Sequence, residues 1–369
     1  VKIDGYIFFE WIRWFALALA ATLGILILEN IYNDLPDLLK MGIRGQDILR
    51  YYIVLLPSFI PTVLPVSLLI SVLLGLGNLY QHNEITAFKS VGLSLWRISR
   101  VFWAIGIFLS IVLFYLNAQL VPSSIEKAGA MRDDFARYSH GLEGVESEFG
   151  IIYNLTFYNH LERRLWFMNR FNEYENRGYG ITVSELSETG REEFRIVANE
   201  VHYEWEGKRW IFYEGRIIEF DVETGEALRS LPIIQRSYSE FEENPVLMRS
   251  LEKRPKDLSL FQLHHVLKYL GAVDDPRFPA YKVRYHSILA NPFSVIIVIA
   301  LAIPFVVSGV RVSPVVGVAK TVGLFFAYYL VANVSTLMGE RGILDPISAG
   351  WLPNSIMGLT AFWFNRRQM

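Results

Sequence analysis

The chain has 369 residues, 52% of them hydrophobic, 14% aromatic and 20% charged, with a formal net charge of −2. Between Glu126 and Arg284 stand 28 acids and 22 bases, which leaves nine acids and thirteen bases for the other 210 positions; that is too few to solvate a globular surface, so a wholly soluble protein is excluded. The near-zero net charge excludes an electrostatic nucleic-acid footprint, and the lack of Cys excludes disulfides, thiolate metal sites and a Cys nucleophile.

Six stretches meet or approach the ~20 apolar residues that cross the hydrocarbon of a bilayer. The first, Phe8 to Leu28, has Glu10 and Arg13 near its start and no A-x-A-like cleavage site after it, so it reads as a retained span. Lys40 and Arg44 follow its outer end. They could hold phosphate or anionic headgroups, or be loop charges balanced by Asp34 and Asp37. The second span, Tyr51 to Tyr80, contains no charge and carries Pro57, Pro61 and Pro65, then Gly75 and Gly77. The prolines predict a bent helix and the glycines close helix contact.

Asn83-Glu84-Ile85-Thr86-Ala87-Phe88-Lys89-Ser90-Val91-Gly92 comes next. Asn83 suits an N-cap, Glu84 complements the helix dipole and Gly92 fits the left-handed C′ position. The expected two-turn helix would present Ile85 and Phe88, three apart, as an exposed apolar pair that plugs a partner's groove or dips into lipid.

The third span, Val101 to Val121, is expected to continue as a helix over Pro122 to Tyr138. Beyond it, turn signals recur at Asn176-Arg177-Gly178, Glu188-Thr189-Gly190, Glu206-Gly207-Lys208 and Glu223-Thr224-Gly225. Alternating runs lie between them, with Val201, Tyr203 and Trp205 on one face and Ile218, Phe220 and Val222 on another. Short antiparallel strands at this spacing predict a sandwich or jelly roll. An amphipathic helix follows Asp257, its face formed by Leu260, Leu263, His264, Leu267 and Leu270. Spans four to six are Tyr285 to Val307, Val318 to Met338 and Ile347 to Phe364, with Lys320 expected to snorkel. The domains are therefore residues 1–125 (three membrane helices with a coupling helix near 84–91), 126–284 (the β domain with flanking helices) and 285–369 (three membrane helices). Lys89, Arg97 and Arg100, then Arg311 and Lys320, then Arg366 and Arg367 outweigh the bases of the opposite loops. This places both termini in the cytoplasm and the β domain outside the inner membrane.

Catalytic patterns are missing from the sequence. His264 and His265 are adjacent and diverge on a helix, the common hydrolase, nucleotide and calcium motifs do not occur, and no acid lies deep in a span. No catalytic residue, metal or cofactor is expected, and energy for transport would come from a partner.

At this point the chain resembles the LptF/LptG (YjgP/YjgQ) permeases of lipopolysaccharide export. The stretch Pro65 to Gly92 carries the likeness most specifically, joined by Asp257-Leu258-Ser259, Asn291-Pro292, Ser313-Pro314 and the opening Ile3-Asp4-Gly5-Tyr6-Ile7, where Gly5 replaces the family's Arg. Leu73 to Gly77 and Leu38 to Gly42 resemble the LptG type. The resemblance implies an α-helical membrane protein with six spans in a 3+3 arrangement and an inserted periplasmic β-jellyroll, in the inner membrane. It implies a paralogous six-span LptF-type permease as neighbour, with the substrate cavity between spans one and five. It further implies an LptB-like ATPase dimer that binds ATP and engages Glu84, Ile85, Ala87, Phe88 and Gly92, an LptC-like bitopic protein as recipient, and lipopolysaccharide as substrate, met by Lys40 at the place of the family's substrate-contacting lysine; Arg44 joins it by its location alone. The residues alone leave two other readings open: a membrane-anchored β-domain scaffold or receptor, and an intramembrane lipid-modifying enzyme.

Overall fold

The computed structural model describes residues 2–139, 151–173, 175–273, 275–307 and 314–368. Arg311 and Ser313 lie outside them, as does the stretch 140–150 of the insert. The chain divides into two compact units, residues 1–135, 255–261 and 277–369 in the first and residues 136–254 and 262–276 in the second.

The first unit is helical. α1 runs Lys2–Lys40, α2 Gly45–Leu55, α3 Ile60–Gln81, α4 Glu84–Ser90 and α5 Leu95–Tyr115. A single π turn, Leu116–Leu120, joins α5 to α6 (Val121–Ser139). This π turn precedes Pro122, which has no N–H to continue an i→i−4 ladder, so the wider turn absorbs the mismatch without ending the helix. The expected extension of the third span is present. The second span, expected to be continuous from Tyr51, is instead interrupted by a 3-10 turn at Leu56–Ser58. Pro57 and Pro61 fall at the first turns that follow each break, where a missing N–H is harmless, and only Pro65 is interior.

Helices α9 (Phe278–Ala290) and α10 (Phe293–Val307) meet at a 51° bend at Asn291-Pro292. The polar groups freed there are taken up by neighbours: Asn354 Nδ2 donates to the Ala290 carbonyl at 2.6 Å, and Ser110 Oγ donates to the Pro292 carbonyl at 2.9 Å. In lipid such repairs are what make a broken helix tolerable. α11 spans Pro314–Glu340 and α12 Pro346–Gln368. Among the described residues four helices are long and apolar enough to cross a membrane, or five if the bent pair is one span. Six crossings were expected; α12, the sixth candidate, is less apolar because it carries polar groups such as Asn354, whose Oδ1 also accepts from Tyr328 Oη at 2.9 Å.

Close packing of α1 on α3 rests on small residues. Trp11 Nε1 donates to Ser71 Oγ at 3.0 Å, the Thr22 and Ser67 hydroxyls lie 2.7 Å apart, and a Cβ on Gly75 would sit 3.7 Å from the Trp11 backbone. Ser67, Ser71 and Gly75 thus form one stripe at four-residue spacing, the small-residue seam of membrane helix pairs.

In the second unit, β1 (Ile151–Asn159), β2 (Arg164–Asn172), β3 (Arg177–Leu186), β4 (Glu192–Glu204), β5 (Arg209–Phe220) and β6 (Ala227–Tyr238) pair antiparallel in sequence order. The four expected turns fall at the hairpins. The topology differs from the expected sandwich or jelly roll, because the described strands make one meander sheet rather than two sheets joined by crossings.

Two layers nevertheless arise. Opposite one another across all six strands stand Asn154, Asn169, Gly180, Asn199, Glu214 and Ile234, and at this row the regular pairing is interrupted. Asn154, Gly180 and Glu214 are left-handed, with φ of 55°, 63° and 49°. Gly180 is doubly required, since a Cβ there would lie 2.3 Å from Asn169 Nδ2. Crossing the row shifts the buried phase by one residue: Ile196 and Ala198 are buried before it on β4, Val201 and Tyr203 after it. On β5 the shift buries Ile217 in place of the expected Ile218 and Phe220, which are half-buried. Trp166 and Trp210 lie on opposite sides of the row and three strands apart, roughly 14 Å by strand spacing, yet their rings are 4.9 Å apart. The sheet therefore doubles over along a crease, and its halves enclose a single core. That core also takes in Phe241 and Met248, the latter from α7 (Pro245–Glu252). In α8 (Leu260–Val273) the buried stripe is Leu263, Val266 and Leu270, with His264 exposed.

Candidate functional site

The chain between α3 and α5 holds the most specific motif of the sequence. α3 closes with the His82 N–H bonded back to the Asn78 carbonyl at 3.1 Å and the Asn83 N–H to the Tyr80 carbonyl at 3.0 Å. Asn83 then turns the chain in the left-handed region at φ 57°, a conformation Asn tolerates better than most residues. Its side chain makes no cap bond, contrary to expectation; the backbone makes the turn, and the Asn83 carbonyl accepts the Ala87 N–H at 2.9 Å. At the other end Gly92, φ 85°, donates to the Lys89 carbonyl at 3.0 Å and Leu93 donates to the Phe88 carbonyl at 3.1 Å. These paired bonds form a Schellman stop with Gly at C′, as the sequence predicted. Ser94 restarts the chain by accepting the Arg97 N–H, which caps α5.

The faces of α4 are the reverse of those expected. Ile85 is only 1% exposed and belongs to the membrane unit's core cluster, with Phe88 and Leu93 packed against the same cluster. Ile85 and Phe88 therefore seat the helix and do not form an outward plug. A short helix cannot fold on propensity alone, so its apolar side is consumed in holding it to the helices above. The outward side consists of Thr86, Ala87, Lys89 and Ser90, and of Val91 at 82% exposure. Glu84 lies between these faces, and its Oε1 accepts from Tyr6 Oη at 3.0 Å.

A second set of charges flanks the motif. Asp4 receives two guanidinium groups: Arg97 Nη1 reaches Oδ1 at 2.7 Å, Arg100 Nε reaches Oδ1 at 3.1 Å and Arg100 Nη2 bonds Oδ2. Arg97 and Arg100, three apart, share one face of α5. Deeper along α1, Glu10 Oε1 accepts from Asn78 Nδ2 at 3.0 Å and from Trp14 Nε1 at 3.3 Å. These α1 partners were not foreseen: Asp4 and Tyr6 lie 93 and 78 residues from their mates, beyond any local spacing signal.

Lys40 and Arg44 are placed apart from this cluster along the chain. Lys40 ends α1 rather than lying in a loop, and its Nζ bonds Asp37 at 3.1 Å. Arg44 is extended at the N-cap of α2, its carbonyl accepting the Asp47 and Ile48 N–H groups. Both side chains are exposed, and Gly42 turns between them at φ 71°. Nearby, Arg132 of α6 lies 3.8 Å from Asp34. Among the described residues no three His, Asp or Glu side chains converge as metal ligands would.

A family model described as lipopolysaccharide export system permease LptF/LptG matches residues 5–367, essentially the whole chain. The chain belongs to this family. No individually curated protein matches it. The match is to the joint model and does not separate the two paralogues. With its long apolar helices and six-stranded sheet, this LptF/LptG-family chain is a multi-pass inner-membrane protein and a component of a lipopolysaccharide exporter.

Proposed function

We propose that the chain is one permease half of an ATP-driven transporter that extracts lipopolysaccharide from the inner membrane, and that α4 is the element on which the ATPase acts. The observation that carries this reading is the construction of α4: capped at one end by a Schellman stop, sunk into the core through Ile85, and offering an exposed outer face of Thr86, Ala87, Lys89, Ser90 and Val91. A helix so anchored moves with the membrane helices when it is pushed. An LptB-like ATPase dimer would bind this face and bind the ATP, and this chain contributes no catalytic residue.

The exposed apolar side chains of α1, among them Leu17, Ile25 and Leu28, and of α11, among them Phe326, Leu330 and Leu337, support the placing of an acyl-chain cavity between these helices and those of an LptF-type paralogue, with this chain in the LptG role. Lys40 and Arg44 would meet the phosphates, and an LptC-like bitopic protein would receive the lipid. Both termini would be cytoplasmic and the β domain periplasmic. The scaffold alternative gains nothing from a buried, doubly stopped helix on a membrane-anchored chain.

The test is purification of the chain with its paralogue and a candidate ATPase. Val91→Asp and Ala87→Arg should each reduce association at least ~tenfold, about 1.4 kcal/mol, while membrane insertion is unchanged. Normal association of both variants overturns the assignment of this face. At the other end of α1, Lys40→Asp should lower lipopolysaccharide crosslinking near the outer end of that helix, and unaltered crosslinking removes Lys40 from the substrate path.

A further inference from the structure

The first turns of α1 bracket α4. Tyr6 holds the residue that opens α4, Glu84, and Asp4, two positions earlier, holds Arg97 and Arg100 on the helix that follows it. We propose that Asp4 and Tyr6 form a strap through which displacement of α4 is passed to α1, and that both are positioning residues for the transport cycle; this rests on the reading of α4 as the ATPase-driven element.

Three physical arguments support the strap. The Asp4 clamp is made of charge-assisted hydrogen bonds from two guanidinium forks to one carboxylate, the strongest kind available to side chains, and Asp4 is itself mostly covered. One tie grips the first residue of α4 and the other the first two turns of α5, so α4 and α5 cannot move together relative to α1 without breaking one of them. Third, α1 is one unbroken helix from Lys2 to Lys40, about 58 Å at 1.5 Å per residue. A tilt imposed at Asp4 and Tyr6 therefore reaches the far end, where Lys40 stands. Ile7 and Trp11 are buried and Glu10 is tied to Asn78, so the near end has a fixed fulcrum just beyond the strap.

A merely structural role would lower the amount of folded protein and leave the response of what folds unchanged. A strap predicts the opposite. The chain has no Cys, so single Cys residues can be placed for spin labels at exposed Ser90 on α4 and exposed Leu28 on α1, each measured against a label at exposed Leu359 on α12 in the full complex in nanodiscs. With wild-type strap residues, ATP with vanadate should change both distances. In Asp4→Asn with Tyr6→Phe, the Ser90 distance should still change, the Leu28 distance should not, and lipopolysaccharide released per ATP should fall about fivefold or more. Asp4→Glu, which keeps the charge, should restore the Leu28 response. A Leu28 response in the double variant equal to wild type overturns the strap while leaving the docking reading intact. A Ser90 label that ignores ATPase and nucleotide in the wild-type background overturns the docking reading itself.

Discussion

The two units of this chain solve the same problem, holding long elements together, by opposite means. In the β unit water is the driving force. Trp166, Trp210, Phe171 and Phe212 are fully buried, and the interior even contains an ion pair, Arg164 to Glu243 at 2.7 Å, with the guanidinium over the Phe241 ring at 4.0 Å. In the membrane unit the surroundings are as apolar as the helices, so burial of Leu or Ile gains little. The contacts that matter there are small residues that allow approach and single polar bonds, such as Trp11 to Ser71. A polar contact in the β unit thus stands on an already favourable core, whereas in the membrane unit the polar contacts select which helices meet.

Mutations can sharpen this contrast. The largest effect expected is at Glu243. Glu243→Ala leaves Arg164 buried without its close partner and also removes the Asn159 acceptor, and should destabilise the β unit by about 3–5 kcal/mol. Hydrogen exchange on the full chain in detergent would register this as lost protection in β1 to β6 with the membrane helices unaffected, and equal loss in both units would mean that they do not differ as described. Next is Gly106→Val on α5. A Cβ there would lie 2.5 Å from Ile299 Cδ1 of α10, and overpacking of that size costs about 1–3 kcal/mol. Thermal unfolding in detergent should show the loss, and Gly77→Ala, at a site with open space, should show none. Smallest is Ser71→Ala, which deletes one interhelical bond and should cost about 0.6 kcal/mol by the same assay. A loss comparable to Glu243→Ala would erase the distinction between the units.

Local features were legible in the sequence and distant ones were not. The turns at Gly190 and Gly225, the Gly92 stop and the helix that it closes were all anticipated, because glycine at a positive φ is a property of a few consecutive residues. The side of α4 that faces inward could not be read. Spacing shows that Ile85 and Phe88 share a face, but not whether that face is covered, and here it belongs to a core cluster assembled from distant helices, among them α1, α3, α5 and α10. The unbroken run from Tyr51 to Tyr80 looked like one helix because it lacks charge; the proline pair at 57 and 61 was the better guide, marking a break rather than a bend. On β5 strict alternation failed at Glu214, whose left-handed backbone no composition rule foretells in a non-glycine residue. Asp4 was visible only as part of an opening motif, and its partners required the fold.

The crease in the sheet also limits how this protein can change in length. Every strand contributes to both leaves, so one added or deleted residue between crease and hairpin would turn that strand's segment of one leaf inside out while its segment of the other stayed correct. Added or deleted residues should therefore be tolerated at the hairpin tips, or as whole extra hairpins that each bring their own kink. By the same logic, the leaves should melt as one cooperative body.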